Sequence, residues 1–145
     1  MAKTYWDDLE VGTVLWGDTV TVDPNEMLDY ARLNDPQPFH LDEAAAQETP
    51  FGGLIASGGY TVTLWYRSAI TVLTKLSFLG GFEWTIKLPA PVRPNDQLRV
   101  KTEIVEKRRS SKGGRGYVTT HQQILNQDDV IVFICDATWI LATKE

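Results

Sequence analysis

The chain has one cysteine, Cys135, and two histidines, His40 and His121, in 145 residues. A single cysteine excludes an internal disulfide and a multi-cysteine zinc site, and it suits a reducing compartment. The two histidines stand far apart with no cysteine to join them, so no metal centre is expected. No apolar run approaches the length of a membrane span. The opening Met1-Ala2-Lys3-Thr4-Tyr5-Trp6-Asp7-Asp8 lacks the apolar stretch of a secretory signal, and the expectation is a cytoplasmic protein. Positive charge is in deficit, with 14 Lys and Arg against 19 Asp and Glu and a net charge of −5. That balance argues against nucleic acid or a membrane surface as partner. Repeats, low-complexity tracts and internal linkers are absent as well. What is present, 43% hydrophobic and 23% charged residues, is ordinary for a globular protein. The length suffices for one domain with a real core, so residues 1–145 are read as a single unit.

Periodicity divides the chain in two. An extended segment is expected over Thr13–Val22. A helix follows, with Asp23 as cap, Pro24 at the first helical position and Glu26 placed to complete a capping box. Asp42 can cap a second, short helix through Glu43-Ala44-Ala45-Ala46-Gln47, closed by Pro50 and Gly52-Gly53. From about Gly59 to Leu76 apolar residues fall on nearly every side, as in a buried central helix. After Gly80-Gly81 the period becomes that of strands. Phe82, Trp84 and Ile86 alternate, as do Leu98, Val100, Thr102 and Ile104; Tyr117–Leu125 and Val130–Leu141 are two further strands joined by an Asn126–Asp129 turn. One long helix against an antiparallel meander is an α+β solution.

The chemistry concentrates in Leu33-Asn34-Asp35-Pro36-Gln37-Pro38-Phe39-His40, where a carboxylate precedes an imidazole by five residues with two prolines between. Proline fixes its own φ and drives the preceding residue toward extended backbone. Asp35 and Gln37 are both steered out of helix, so a short rigid loop is expected to hold Asp35 beside His40. Such a pair can bind and polarise a water. The competing reading makes Asp35 a turn residue and His40 a structural histidine. His121, among polar strand residues, reads as a surface histidine, and Asp42 and Glu43 as first-turn charges complementing a helix dipole.

These residues resemble the MaoC-like acyl dehydratases, relatives of the (R)-specific enoyl-CoA hydratases, which have the hotdog fold. The family hallmark is Asp, any residue, Asn, Pro, any residue, His, then an Ala-rich helix; here Asp35-Pro36-Gln37-Pro38-Phe39-His40 leads into Ala44-Ala45-Ala46. The likeness extends through Phe51-Gly52-Gly53-Leu54-Ile55-Ala56-Ser57-Gly58 and the proline-rich turn Leu88-Pro89-Ala90-Pro91-Val92-Arg93-Pro94-Asn95-Asp96. The resemblance implies that Asp35 and His40 activate the water that adds across a trans-2-enoyl thioester. It further implies that a backbone N–H faces the thioester oxygen, for which Gly81 is the candidate. Gln37 replaces the family's Asn, and Ser57-Gly58 stands where hydratases commonly have His-Gly; Ser57 is expected to cap the helix and to face substrate. Coenzyme A is expected as part of the substrate, with no other cofactor. A hotdog domain is also expected to form a homodimer with a continuous sheet, alone or as the unit of a higher oligomer.

The segment Glu106–Gly116 carries five positive charges on an acidic chain. Its plain reading is a solvated strand connection; its functional reading is a contact from Arg108 and Arg109 to the phosphates of coenzyme A. Two rival functions stand beside the hydratase. A hotdog thioesterase would aim water at the carbonyl carbon, but such enzymes place an acid on or near the central helix, and none lies between Gly59 and Arg67. A non-catalytic acyl-CoA binder would be consistent with Gln37 and Ser57.

Overall fold

The computed structural model describes residues 2–145. After a single 3-10 turn at Trp6–Asp8, the elements run β1 (Val14–Trp16), β2 (Val20–Thr21), α1 (Pro24–Asn34), α2 (Pro38–Leu41), α3 (Glu43–Gln47), α4 (Gly58–Leu73), β3 (Phe78–Lys87), β4 (Gln97–Arg109), β5 (Arg115–Leu125) and β6 (Ile131–Ala142). The strands form one antiparallel sheet in the order β1-β4-β5-β6-β3, with β2 also pairing with β4. The long α4 packs on its inner face, the hotdog arrangement.

The strand residues explain the layer. Along β4 and β5 buried and more exposed positions alternate strictly over long stretches, as one-sided burial demands. Leu98, Val100 and Ile104 of β4, Val118 and Ile124 of β5 and Phe133 and Leu141 of β6 meet Tyr60, Leu64 and Trp65 of α4 in a single core. Each fully buried large apolar side chain contributes about 1.5–3 kcal/mol. Trp65 brings a polar edge into this core, and its indole N–H donates to Gln122 Oε1 at 2.7 Å.

Helix α1 starts as its sequence dictates. Asp23 accepts from the N–H groups of Asn25 and Glu26 at 2.8 and 3.1 Å, and Pro24 takes the first position. The other half of the capping box does not form. The Glu26 carboxylate accepts instead from Tyr60 Oη at 2.7 Å and from the Arg67 guanidinium, tying α1 to α4. Gly59 lets the two helices come this close, since a β-carbon there would lie 2.2 Å from Tyr30 Oη.

Several expectations are corrected. The extended segment 13–22 is two strands, because Gly17 turns the chain onto α4: Asp18 N–H donates to Thr71 Oγ1 at 2.9 Å, and Arg99 Nε donates to the Gly17 carbonyl at 2.9 Å. The central helix begins at Gly58 and ends at Leu73, and Leu76 instead bridges to Thr4. It is not buried all round, for the sheet covers one face and leaves Tyr66 and Ile70 each 51% exposed. Strand β3 begins at Phe78 and takes Gly80 and Gly81 into its irregular register with β6. Among the described residues no helix is long and apolar enough to cross a membrane.

Candidate active site

Helix α1 ends at Asn34 because Pro36 bars helical backbone at Asp35, which sits at φ −157° and ψ 70°. Asp35 N–H closes the helix on the Ala31 carbonyl at 2.9 Å. The rigid loop expected from Asp35 to His40 is shorter than that. Only residues 35–37 are non-helical, since Pro38 opens the one-turn helix α2, whose fixed φ suits a first helical position. That turn carries His40 back toward Asp35, and His40 Nε2 lies 3.2 Å from Asp35 Oδ2.

A third side chain joins them. Ser57 Oγ donates to the same Asp35 Oδ2 at 2.8 Å. Ser57 was expected to cap α4, but its hydroxyl makes no capping bond. His40 and Ser57 are buried, 6% and 3% exposed, while the Asp35 side chain remains 36% exposed. The opposite edge of the imidazole is fixed as well, with His40 Nδ1 2.8 Å from the Ile55 carbonyl oxygen. A carbonyl can only accept, so Nδ1 carries the proton and Nε2 is the atom left for proton transfer. In the neutral ring, Nε2 and Oδ2 are two acceptors side by side. That is a seat for a molecule with two O–H donors.

His40 lines a cleft of about 260 Å³ together with Phe51, Ile55, Gly58, Thr61, Leu88 and Val92. The first residue of α4, Gly58, stands on its wall. The first N–H groups of a helix lack intrahelical acceptors and lie at the positive end of its dipole. Helix α4 itself contains no Asp or Glu.

The other expected site residues are placed differently. Gly81 lines a separate groove of about 490 Å³ between α4 and β3, which shares no residue with the His40 cleft. Within one chain, Gly58 shares a cleft with His40 and Gly81 does not. Gln37 is exposed, and its side-chain amide makes no hydrogen bond to another described residue; its backbone N–H donates to Asp35 O at 2.8 Å and its carbonyl accepts from His40 N–H at 2.9 Å. Arg108 and Arg109 stand at the far end of β4 from the turn that adjoins the cleft, on the order of 30 Å away along a strand of this length. Arg109 is engaged with Asp7 and the Trp6 ring, and Arg108 lies over the Tyr117 ring at 4.2 Å. His121 pairs across strands with Asp136 at 2.7 Å, away from the cleft. Among the described residues no cluster of three or more His, Cys, Asp or Glu could hold a metal ion.

Two contributors escape sequence reading. The Ile55 carbonyl selects the imidazole tautomer, and no side-chain pattern announces a backbone oxygen. Glu43, read as a helix-dipole charge, accepts from Leu54 N–H at 3.1 Å and so braces the cleft loop.

The family model described as MaoC like domain matches residues 10–125. A 3-hydroxybutyryl-CoA dehydratase of Methylorubrum extorquens is 37% identical over 70% of this chain and 64% of its own length. Among solved structures, a MaoC-like dehydratase from Rhodospirillum rubrum is 32% identical, with a TM-score of 0.89 over 97% of this chain and 98% of that one. The (R)-hydratase PhaJ1 from Pseudomonas aeruginosa is 28% identical, with a TM-score of 0.69 over 99% of this chain and 88% of its own. The match runs through the acid–histidine turn, the cleft loop and most of the sheet, so the chain belongs to the MaoC-like dehydratase family and is by that membership a hydro-lyase.

Proposed function

We propose that the protein catalyses reversible hydration of a trans-2-enoyl-CoA to an (R)-3-hydroxyacyl-CoA at the Asp35–His40 pair. The observation that carries this reading is the convergence on Asp35 Oδ2 of Ser57 Oγ at 2.8 Å and His40 Nε2 at 3.2 Å, beside a cleft that His40 itself lines and whose wall includes the start of α4. A water donating to Oδ2 and Nε2 keeps its lone pairs directed away from both, toward C3 of a bound enoyl thioester. As oxygen bonds to C3, the pair takes one proton from the water and electron density moves to the thioester oxygen. The pair then returns a proton to C2, and the enolate collapses. The enolate is best stabilised by the N–H of Gly58, backed by the positive end of the helix dipole. Dehydration is the same path reversed.

The absence of any acid on α4 weighs against the thioesterase reading. The dehydratase and (R)-hydratase among its relatives support the thioester class and the configuration. Crotonyl-CoA and longer trans-2-enoyl-CoAs should lose their conjugated absorbance without release of free thiol, and chiral chromatography should find the (R) product. Thiol release would instead make the protein a thioesterase.

The same reading includes a homodimer. Among the described residues β3 pairs with β6 alone, which leaves its outer edge unpaired within the chain. Leu79, Phe82 and Trp84 on β3 and Tyr66 and Ile70 on α4 expose an apolar area about this edge that one chain leaves uncovered. A second copy continuing the sheet would cover it. Light scattering after gel filtration should give twice the 16.3 kDa chain mass or a multiple of that pair, and a monomer would overturn this part.

A further inference from the structure

The loop that delivers the Ile55 carbonyl is held on one side by a guanidinium and at its end by backbone, Ile55 N–H donating to the Phe39 carbonyl at 3.5 Å. Arg93 Nη1 donates to the Leu54 carbonyl at 3.3 Å, and Nη2 donates to the Phe51 carbonyl. On its other side the loop is held by Glu43, which accepts from Leu54 N–H at 3.1 Å and is itself steadied by Gln47 Nε2 at 3.2 Å. Gly53 lies between these two braces: a β-carbon there would sit 3.0 Å from Glu43 Oε1 and 3.2 Å from Arg93 Nη1. Arg93 is anchored in turn. Its backbone N–H donates to Asp96 Oδ2 at 2.8 Å, the buried Asp96 accepts from Gln127 Nε2 at 3.0 Å, and Ala56 N–H donates to the neighbouring Val92 carbonyl at 2.8 Å. The segment from Phe51 to Ala56 is thus fixed at both ends by the turn before β4, and Ile55 lies inside it.

We propose that Arg93 is a positioning residue for catalysis: its forked grip on the Phe51 and Leu54 carbonyls sets the Ile55 carbonyl against His40 Nδ1, and thereby keeps Nε2 free to exchange protons with the water. The argument is geometric. A planar guanidinium offers parallel donors that can hold two carbonyls in one relative orientation, whereas an ammonium is a point donor. The Ile55 carbonyl shares its peptide plane with Ala56 N–H, which is bonded to the Val92 carbonyl at 2.8 Å beside Arg93, so that bond and the guanidinium grip set its position together. If the grip is lost, the Phe51–Leu54 stretch loosens while the Ala56–Val92 and Ile55–Phe39 backbone bonds remain, and Ile55 O shifts from its place against His40 Nδ1. The imidazole can then turn or adopt the other tautomer, and Nε2 carries the proton that should come from water. Arg93 does not line the cleft, so it acts through His40 and not on the substrate.

This role deepens the hydratase reading and rests on it for its catalytic consequence, but its structural half can be read without any substrate. With only two histidines in the chain, long-range ¹⁵N–¹H correlation of the imidazoles identifies each tautomer, and His121→Asn assigns the His40 signals. The wild type is expected to show the Nδ1–H tautomer of neutral His40. Arg93→Gln, and equally Arg93→Lys with its charge retained, should show mixed tautomers. With each variant's fold verified by circular dichroism, kcat for enoyl-CoA hydration should fall on the order of 10- to 100-fold with KM within about twofold, and the pH–rate profile should shift. His40 signals unchanged from wild type in a folded Arg93→Lys or Arg93→Gln would overturn the proposal, whatever the activity. A tautomer change in variants of a wild type that hydrates no enoyl-CoA would leave the positioning of His40 standing and remove the hydratase reading instead.

Discussion

Ser57 Oγ donates to the same oxygen of Asp35 that faces His40 Nε2, so one carboxylate oxygen is held by a hydroxyl at 2.8 Å and met by an imidazole at 3.2 Å. Ser57 is buried at the threshold of α4, where a rotamer change has little room. The hydroxyl therefore fixes the direction in which Asp35 presents its second acceptor site.

Removing that donor should loosen the carboxylate without removing it. A hydrogen bond to a charged group is worth about 1.5–3 kcal/mol, so Ser57→Ala should lower kcat roughly 10- to 100-fold while leaving the fold intact. Steady-state kinetics with a short enoyl-CoA tests this. An unchanged kcat would mean that Asp35 is held by other groups.

Glu26 gives acid pH a predictable effect on stability. The hydrogen bonds from Arg67 and then from Tyr60 hold its carboxyl below the ordinary value of 4.5. A group with a depressed folded pKa stabilises the fold above its unfolded value and loses that contribution as pH falls through the folded value. Its side chain is 42% exposed, so solvent screening keeps the effect small. Melting curves should show wild type losing stability below about pH 4.5 more steeply than Glu26→Gln. Parallel curves would show that the ion pair adds no net stability.

Cys135 should be silent until the protein unfolds. Burial, with a smaller effect from the Asp136 charge, pushes its thiol up to about 12. At pH 8 almost none is thiolate, the reactive form. Titration with a disulfide reagent should therefore find no accessible thiol in native protein and one per chain in denaturant. Fast native labelling would place Cys135 nearer the surface. The result also bears on the thioester assay, where any thiol seen must then come from coenzyme A.

Gly59→Ala sets two effects against each other. Within a helix, alanine is favoured over glycine by about 1 kcal/mol. Here the added carbon would lie 2.2 Å from Tyr30 Oη and 3.0 Å from Cζ, a clash with a ring packed 5.7 Å from Tyr60. Overpacking of this kind costs about 1–3 kcal/mol and should win, lowering the melting temperature and displacing α1, the helix that precedes Asp35. In a Tyr30→Ala background the same substitution should become neutral or stabilising. Equal effects in both backgrounds would deny the contact.

The sequence made some of this legible and left the rest unreadable for definite reasons. Asp23-Pro24 announced the start of α1, and strict alternation announced β4 and β5, because capping and one-sided burial act locally. The Asp35–His40 relationship was legible from the two prolines, although Pro38 opens a helical turn instead of extending the loop. Within one chain Gly81 and the Arg108–Arg109 pair lie away from the His40 cleft, which the sequence did not show because motif likeness gives order along the chain, not distance. The grooves and the far end of β4 are set by sheet register. Tyr66 and Ile70 looked buried because apolar residues read alike whether a chain covers them itself or leaves them exposed. The Ile55 carbonyl could not be read at all, since every residue has one.

The central claim, that Asp35 and His40 activate water for addition to an enoyl thioester, is tested most directly by one comparison. Wild type and Asp35→Asn are incubated with crotonyl-CoA and longer trans-2-enoyl-CoAs while the conjugated absorbance and free thiol are followed together. The account predicts loss of absorbance without thiol release in wild type, and a rate lower by about 10²- to 10⁴-fold in Asp35→Asn, the range for loss of a general acid–base group. Hydration at equal rates in the two proteins would contradict it.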